Sequence, residues 1–588
     1  MVVAFSKPVA PMKVGIASMV ALGGVVVLYW ILKPKESSKF KKAFAEDSRR
    51  PMEPMEHDRK KRNIRMKRLF DCDQVPTPLD AIVIGSGVGG LTTAAILAKT
   101  GRKVLVLEQH GKAGGCTHTF VKDEAEWDVG IHYVGKMGKN QSNRLIMDQL
   151  TDGQLDWAEM AEDYDNAVVS YGDGEKNKVR MIPVYKDLEK WQQDLIQRYP
   201  KHEQGIKEYF RMLKEACDVS DYLAVLKLVP IWLCKLMTAL PWVFPGIRKF
   251  YHYYHELILQ DVLEKLFPGD PEIQTVLSYN WGDAGSEPSK VGFGMVAAIQ
   301  DHFATGSFYP VGGSSEIAYT MIPVIEKAGG AVMMKTKVTD ILMSDDMKTA
   351  IGVRVLFNKK QRFEICAPLI ISDAGAINTF ERMLPEKAAL MAPLGRIVKE
   401  NKVYPSCVMF QVFIGLTGGQ EDLELPNKNF WITYDQTPED LKKWSELSLD
   451  DALQQQVPML FVGFPSAKDP SYGERLPDRS VCVAISIIPT HWFKQWSDRP
   501  KGKRGEEYES LKMAMAEKIW DQLVDIFPQI SDRRRYMDAG TPVTAEHYQN
   551  AIVGEAYGLS HDQSRFDPEV FPYIRPESGI NNLWLTGK

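Results

Sequence analysis

Cysteine is scarce and scattered in this chain, with seven residues in 588, no CxxC pair and no His-Cys cluster. Cys72, Cys116, Cys217, Cys234, Cys366, Cys407 and Cys482 indicate neither a zinc site nor a disulfide framework, so a reduced compartment is the simpler reading. A dominant charge is also missing: 72 basic against 76 acidic residues leave a net −4, which argues against nucleic acid as a partner. There are no internal repeats and no low-complexity tract. The densest apolar stretch of the body, Tyr222 to Ile247, is interrupted by Lys227, Lys235, Pro230, Pro241 and Pro245. A bilayer span tolerates such breaks poorly, because the freed backbone groups find no water. Three readings stay open for it: core helix, an amphipathic patch in a membrane interface, or a greasy lid over a substrate tunnel. A charged content of 25% and an apolar content of 44% are those of a globular protein, and the length suggests three or four domains.

One uninterrupted apolar run stands at the amino terminus. Val14 to Leu32 carries no charge and as a helix would extend about 28 Å, close to the hydrocarbon thickness of a bilayer. A retained anchor is favoured over a cleaved signal, whose apolar core is shorter. Lys33, Lys35, Lys39, Lys41 and Lys42 outnumber Lys7 and Lys13, which by the positive-inside bias leaves the body facing the cytosol. Asn140-Gln141-Ser142 is a glycosylation sequon whose modification would instead reveal a luminal body. From Glu36 to Pro78 the chain is polar, basic and punctuated by proline. It reads as a tether able to attract anionic headgroups, or as a solvated linker with a helix at His57 to Phe70.

The most informative segment runs from Asp80 to Glu108. Asp80-Ala81-Ile82-Val83-Ile84 is an apolar strand, Gly85-Ser86-Gly87-Val88-Gly89-Gly90 follows at once, and Leu91 to Lys99 is an Ala/Leu-rich helix. A second apolar strand, Lys103 to Leu107, ends on Glu108. In this pattern Gly85 allows the tight turn, Gly87 lets the backbone approach a pyrophosphate, and Gly90 lets helix and strand pack closely. Free N–H groups at the helix start then bind phosphate, and Glu108 accepts hydrogen bonds from ribose hydroxyls. A dinucleotide is therefore expected. An acid at this place suits an unphosphorylated adenosine ribose, present in both NAD and FAD. The next turn, Lys112-Ala113-Gly114-Gly115-Cys116, stands where flavin amine oxidases and carotenoid desaturases carry a basic-x-Gly-Gly turn, which favours FAD. Cys116 lies near the flavin or is a small core thiol.

Residues from about 150 to 300 read as largely helical and aromatic. Gly306 to Gly313 then precedes a helix from Ser314 to Lys327, strand-like segments at Val332 to Thr336 and Lys337 to Met343, and a further one at Pro368 to Ser372. Together with Trp127-Asp128-Val129-Gly130-Ile131-His132-Tyr133-Val134-Gly135, Gly554-Glu555-Ala556-Tyr557-Gly558-Leu559 and Leu583-Trp584-Leu585-Thr586-Gly587, these segments resemble the carotenoid/retinoid oxidoreductase family. These are flavoproteins of the phytoene desaturase/carotenoid isomerase type. The likeness covers about Val75 to the last residue.

That resemblance implies an α/β architecture: a Rossmann-like FAD-binding domain of the flavin amine oxidase type with an interleaved α+β substrate domain and an N-terminal membrane anchor. The FAD-binding parts are expected at 79–150, 306–390 and 541–588, and the substrate parts at 151–305 and 391–540. They follow an anchor or signal at 1–35 and a basic linker at 36–78. FAD would lie between Gly85, Gly87, Gly90, Glu108, Lys112, Gly114, Gly115, the Val338 backbone, and Thr586 with Gly587. NAD or NADP remains as electron source or as the alternative cofactor. The implied reaction is saturation of one conjugated C=C of a hydrophobic retinoid in the endoplasmic reticulum membrane, with membrane lipid as a partner. Carotenoid desaturation or isomerisation is the sister activity. His132 is the candidate proton source or polar anchor, set against a satisfied structural histidine. Relatives continue beyond the Leu-Thr-Gly turn into a Gln-Asp pair and a glycine-rich loop that close over the flavin. The present sequence ends at Lys588, so a non-catalytic membrane-bound interaction protein is a second expectation.

Overall fold

The computed structural model describes residues 40–171, 178–358, 360–434 and 438–587. The run Val14 to Leu32 lies outside them, and no helix among the described residues is long and apolar enough to cross a membrane.

Short strands of Ala, Val, Ile and Leu, buried at every position, belong in a parallel sheet covered on both faces. Ala81–Ile84 and Val104–Leu107 are such strands. They occupy the centre of a five-stranded sheet ordered Ala331–Met333, Val104–Leu107, Ala81–Ile84, Ile370–Ser372 and Leu583–Leu585, with every pairing parallel. Counted along the chain this order is 3-2-1-4-5, that of a Rossmann-like sheet. The helices Val88–Lys99 and Ser315–Lys327 pack on each other and on one face, burying Leu91, Ala94, Ala95, Ile317, Met321 and Ile325. An antiparallel meander of Thr336–Met343, Ala350–Phe357 and Gln361–Cys366 contributes to the core on the other face.

The long insertions between these strands build a second body. Seven strands form a mixed sheet in the order Arg534–Gly540, Val408–Thr417, Arg479–Ile488, Met459–Gly463, Asn429–Tyr434, Asp165–Tyr171 and Lys178–Val184. Residues 150 to 300 are largely helical, as expected, but they open on the strands Trp157–Glu159, Asp165–Tyr171 and Lys178–Val184. Asp165–Tyr171 pairs in parallel with Asn429–Tyr434, a partner more than 250 residues away that no local pattern reveals. Helices dominate only from Leu188 to Phe303, where Trp191, Tyr209, Phe250, Tyr254, Phe267 and Phe293 form an aromatic core against this sheet.

The described part of the basic linker is not a free tether. Arg50 N donates to the Asp152 carbonyl at 3.1 Å, and Ser48 N donates to the Gln149 side chain at 3.0 Å. The helix Arg59–Met66, capped by Asp58, buries Met66 and pairs Arg62 with Glu316. Arg49, Arg50 and Lys61 pair locally with Asp47, Glu53 and Glu56, whereas Arg62 and Arg68 find Glu316 and Glu326 far along the chain, partners that composition does not reveal.

Tyr222 to Ile247 folds as three short helices with two faces. Leu226, Leu233, Cys234, Met237 and Ile247 join the core. Leu228, Trp232 and Trp242 stand 70%, 60% and 72% exposed, beside Leu236 and Val243.

Candidate active site

The glycine turn follows directly from the strand before it. Gly85, at φ 101°, folds the chain back so that its N–H reaches the Leu107 carbonyl at 2.9 Å, and Gly87 becomes the N-cap of the helix Val88–Lys99. A β-carbon on Gly90 would collide with the Gly85 carbonyl oxygen, so only glycine lets helix and strand meet here. A β-carbon on Gly115 would lie 3.0 Å from the Gly87 α-carbon, which brings the second turn down onto the first. The bare backbones of Gly85, Gly87, Gly89 and Gly115 border one cavity of about 1020 Å³, with the amide end of a helix pointing at it. These residues suit the phosphates of a dinucleotide.

Glu108 stands where the second strand ends and borders the same cavity. Its Oε2 accepts from the Ser86 amide at 3.0 Å and hydroxyl at 2.7 Å, and its Oε1 from the His110 amide at 2.9 Å. Burial pulls its pKa upward, but the His110 and Ser86 contacts outweigh that and hold it down at about 2. Glu108 is thus a fixed carboxylate that braces the turn. The Val338 strand, Asp373 and Gly587 close this end of the cavity. β-Carbons on Gly87 and Gly89 would fall 2.6 and 2.7 Å from the Asp373 carboxyl oxygens, so Asp373 edges the phosphate cradle.

The remaining predicted contacts lie just behind. Lys112 donates to the Thr119 carbonyl at 2.5 Å and the Ser315 hydroxyl at 3.3 Å, tying the second turn to a strand and a helix rather than lining the cavity. Burial lowers its pKa to about 8. Gly114, at φ 119°, donates to the Ser86 carbonyl. Thr586 donates its amide to the Ser372 carbonyl and meets the Thr93 hydroxyl at 3.1 Å, which sets Gly587 beside Asp373. Cys116 borders the cavity and touches Gly130.

Away from the cradle the same cavity continues between the two bodies into an apolar chamber. Its walls include Phe303, Met409, Phe413, Trp431, Met459 and Phe461. Tyr133 lies flat on Phe303, with ring centroids 4.4 Å apart and planes 6° from parallel. His132 borders the chamber against Phe461, at 5.4 Å between centroids. Its Nε2 is buried without a hydrogen-bond partner. Burial, then the nearby Lys468 ammonium, lowers its pKa to about 3, so the ring is uncharged near pH 7. Sequence reasoning passed over three neighbours: Asp283, Asp165 and Lys468. Tyr133 donates to Asp283 at 2.8 Å, while Asp165 accepts from Asn429 at 2.8 Å and from the Trp431 indole at 3.2 Å. Lys468 donates to the His132 carbonyl at 3.0 Å. Only the position of Tyr133 inside the Trp127 to Gly135 segment pointed this way.

The fold and cradle define a Rossmann-like, dinucleotide-binding oxidoreductase scaffold. A family model for an NAD(P)-binding Rossmann-like domain matches residues 83–150. Among solved structures, cyclohexylamine oxidase from Brevibacterium oxydans aligns over 86% of this chain and 92% of its own, with a TM-score of 0.52 at 12% identity, a likeness of fold. The chain belongs to the all-trans-retinol 13,14-reductase family. It is 37% identical to the all-trans-retinol 13,14-reductase of Rattus norvegicus over 93% of this chain and 88% of that one. It is 30% identical to an inactive all-trans-retinol 13,14-reductase of Danio rerio, over 92% and 87%. Carotenoid isomerase and desaturase relatives fall to 25%, so the sister activities fit less well.

Proposed function

We propose that this protein is an FAD-dependent reductase that saturates the 13,14 double bond of all-trans-retinol, giving all-trans-13,14-dihydroretinol, at the endoplasmic reticulum membrane. The observation that carries the reading is the continuity of one cavity from Gly87 and Glu108 at one end to Trp431 and Phe461 at the other. A dinucleotide held by the glycine backbones would reach the chamber where an extended apolar chain fits. When bound and reduced, the flavin supplies a hydride to a conjugated double bond. The protein does the rest. Gly85, Gly87, Gly89 and Gly115 seat the phosphates, and Glu108 takes the ribose hydroxyls. Phe303, Phe413, Trp431 and Phe461 hold the polyene and keep water out. The Glu108 carboxylate would repel a 2′-phosphate, which favours FAD or NAD over NADP in this cradle. NAD or NADP then serves as the source of electrons.

Membrane attachment is supported by two features: the uncharged run Val14 to Leu32 and the exposed Leu228, Trp232, Leu236, Trp242 and Val243. Tryptophans at such a face suit the headgroup level of a bilayer. Asn140 is exposed, so its glycosylation in cells would report a luminal body.

The test is direct. Full-length protein purified from membranes should be yellow and should convert all-trans-retinol, under reducing anaerobic conditions, to a product two hydrogens heavier. A colourless preparation that stays colourless after FAD reconstitution removes the flavoenzyme reading and favours the interaction protein.

A further inference from the structure

Two buried acids share one hydroxyl group in the wall of the apolar chamber. Asp165 is fully buried, and its carboxylate accepts from Asn429, Trp431 and, at 3.3 Å, Tyr133. Asp283 lies in the cavity wall, so what exposure it has faces the chamber rather than bulk solvent, and Tyr133 donates to it at 2.8 Å. Tyr133 has a single hydrogen to give, and two carboxylates this close do not both stay charged without cost. Asp165 is satisfied by two further donors. Among the described residues Tyr133 is the one hydrogen-bond donor to the Asp283 carboxyl group, and Asp283 is the acid that meets the cavity. The groups facing this pair are Tyr133, Tyr164, Tyr279, Tyr557 and, beyond Asn429, Lys468. The chamber wall also includes the rings of Phe303, Trp431 and Phe461.

We propose that Asp283 is the acid that protonates the polyene, with Tyr133 and Asp165 as the positioning residues that hold it against the chamber. The inference rests on the retinol-reducing reading of the same site. In the step, the π pair of the double bond forms one C–H bond with the proton leaving Asp283, and the other carbon takes the hydride delivered by the dihydroflavin. The alkene is reduced, the dihydroflavin is oxidised, and Asp283 is left as a carboxylate that recovers its proton from solvent when the cavity empties. Positive charge developing along the polyene meets the negative faces of the aromatic rings, which attract cations. Burial, followed by the charge of Asp165, raises the Asp283 pKa to about 7, whereas the Tyr133 hydrogen bond lowers it. A carboxyl group poised there holds a usable proton at neutral pH.

The experiment compares Asp283→Asn, Asp283→Glu and Tyr133→Phe in the full-length, flavin-loaded protein. Retinol binding is read by fluorescence quenching, flavin content by absorbance, and turnover as a function of pH. A third readout is the infrared carbonyl band of a protonated carboxyl group. Wild-type turnover should fall as pH rises through about 7. Asp283→Asn should bind retinol and flavin within about twofold of wild type, lose about 10²- to 10⁴-fold in turnover, and lose a carboxyl band that titrates near neutrality. Asp283→Glu should recover part of the rate. Tyr133→Phe, which removes a bond to the charged form, should move the alkaline limb to higher pH. Asp283→Asn turning over within threefold of wild type with the same pH limb overturns the assignment. So does a Tyr133→Phe limb that stays in place, which keeps the test open if Asp283→Asn does not fold. A flavin-loaded wild type that leaves retinol unreduced instead overturns the retinol reading, and the acid role with it.

Discussion

The glycine turn at Gly85–Gly90 and the chamber around Tyr133 border the same cavity, yet backbone builds the first and side chains build the second. In the cradle, function lies in what is absent. Gly87, Gly89, Gly90 and Gly115 leave room for a ligand, for Asp373 and for one another, and strand pairing fixes their places. In the chamber, function lies in what is crowded together. Tyr133, Asp165, Asp283, Phe303 and Trp431 come from five separate segments and meet only after the seven-stranded sheet and the helices have packed. A backbone site tolerates almost no substitution at its bare positions. A side-chain site shifts its balance of charge by degrees.

The sharpest way to break this contrast is to put a side chain into the cradle. Gly90→Val would drive a β-carbon into the Gly85 carbonyl oxygen and part the helix from its strand. Such overpacking against backbone costs about 3 kcal/mol, the upper end of the usual range, and flavin should be lost outright. A yellow, normally melting Gly90→Val protein would show that the close approach is not needed.

Next in size is Glu108→Ala, which strips four hydrogen bonds from the turn. With a folded pKa near 2 against about 4.3 for an ordinary glutamate, Glu108 contributes about 3 kcal/mol. Because the folded value is depressed, that contribution is complete above about pH 4.3 and disappears as pH falls through 2. Denaturant melts of wild type and variant should therefore differ at pH 7 and converge as the medium is acidified. A gap that does not narrow on acidification would mean Glu108 acts by shape rather than by charge.

The exposed helical face offers a smaller effect. In bilayers with brominated acyl chains, part of the tryptophan emission of a Trp30→Phe chain, which has lost the anchor's own tryptophan, should be quenched, and adding Trp232→Phe with Trp242→Phe should remove most of that quenching. Stability should stay within about 0.5 kcal/mol, as for surface changes generally. Quenching that survives both replacements would leave this face without a membrane role.

The smallest change is expected at His132. Its Nε2 has no partner and its ring is neutral, so His132→Phe should keep normal flavin loading and turnover within about twofold. A large loss of turnover with normal folding would return His132 to the mechanism and weaken the case for Asp283.

Much of the cradle was legible because its signals are local. Strand, turn, helix and strand lie within about thirty residues, and Gly85, Gly87, Gly90 and Glu108 stand where the pattern requires them. Lys112 shows the limit. Its charge suggested a cofactor contact, while its nitrogen ties Thr119 to Ser315 in a partnership across some 200 residues. Asp373 follows directly on the strand-like segment Pro368 to Ser372, but nothing in that segment told where its carboxylate would lie. The paired strands Asp165–Tyr171 and Asn429–Tyr434, and the docking of the basic linker, were hidden for the same reason.

The sequence by itself determined the Rossmann-like unit, because a hydrogen-bonded turn between two apolar strands is specified by neighbours a few residues apart. It also fixed the family, through short segments that keep their identity wherever the rest of the chain goes. Only the tertiary structure decided which acids share the chamber, which basic groups are used in packing, and which face of Tyr222 to Ile247 meets solvent. Those outcomes depend on burial and on partners hundreds of residues away, and burial is a property that a residue acquires only when the rest of the chain has closed around it.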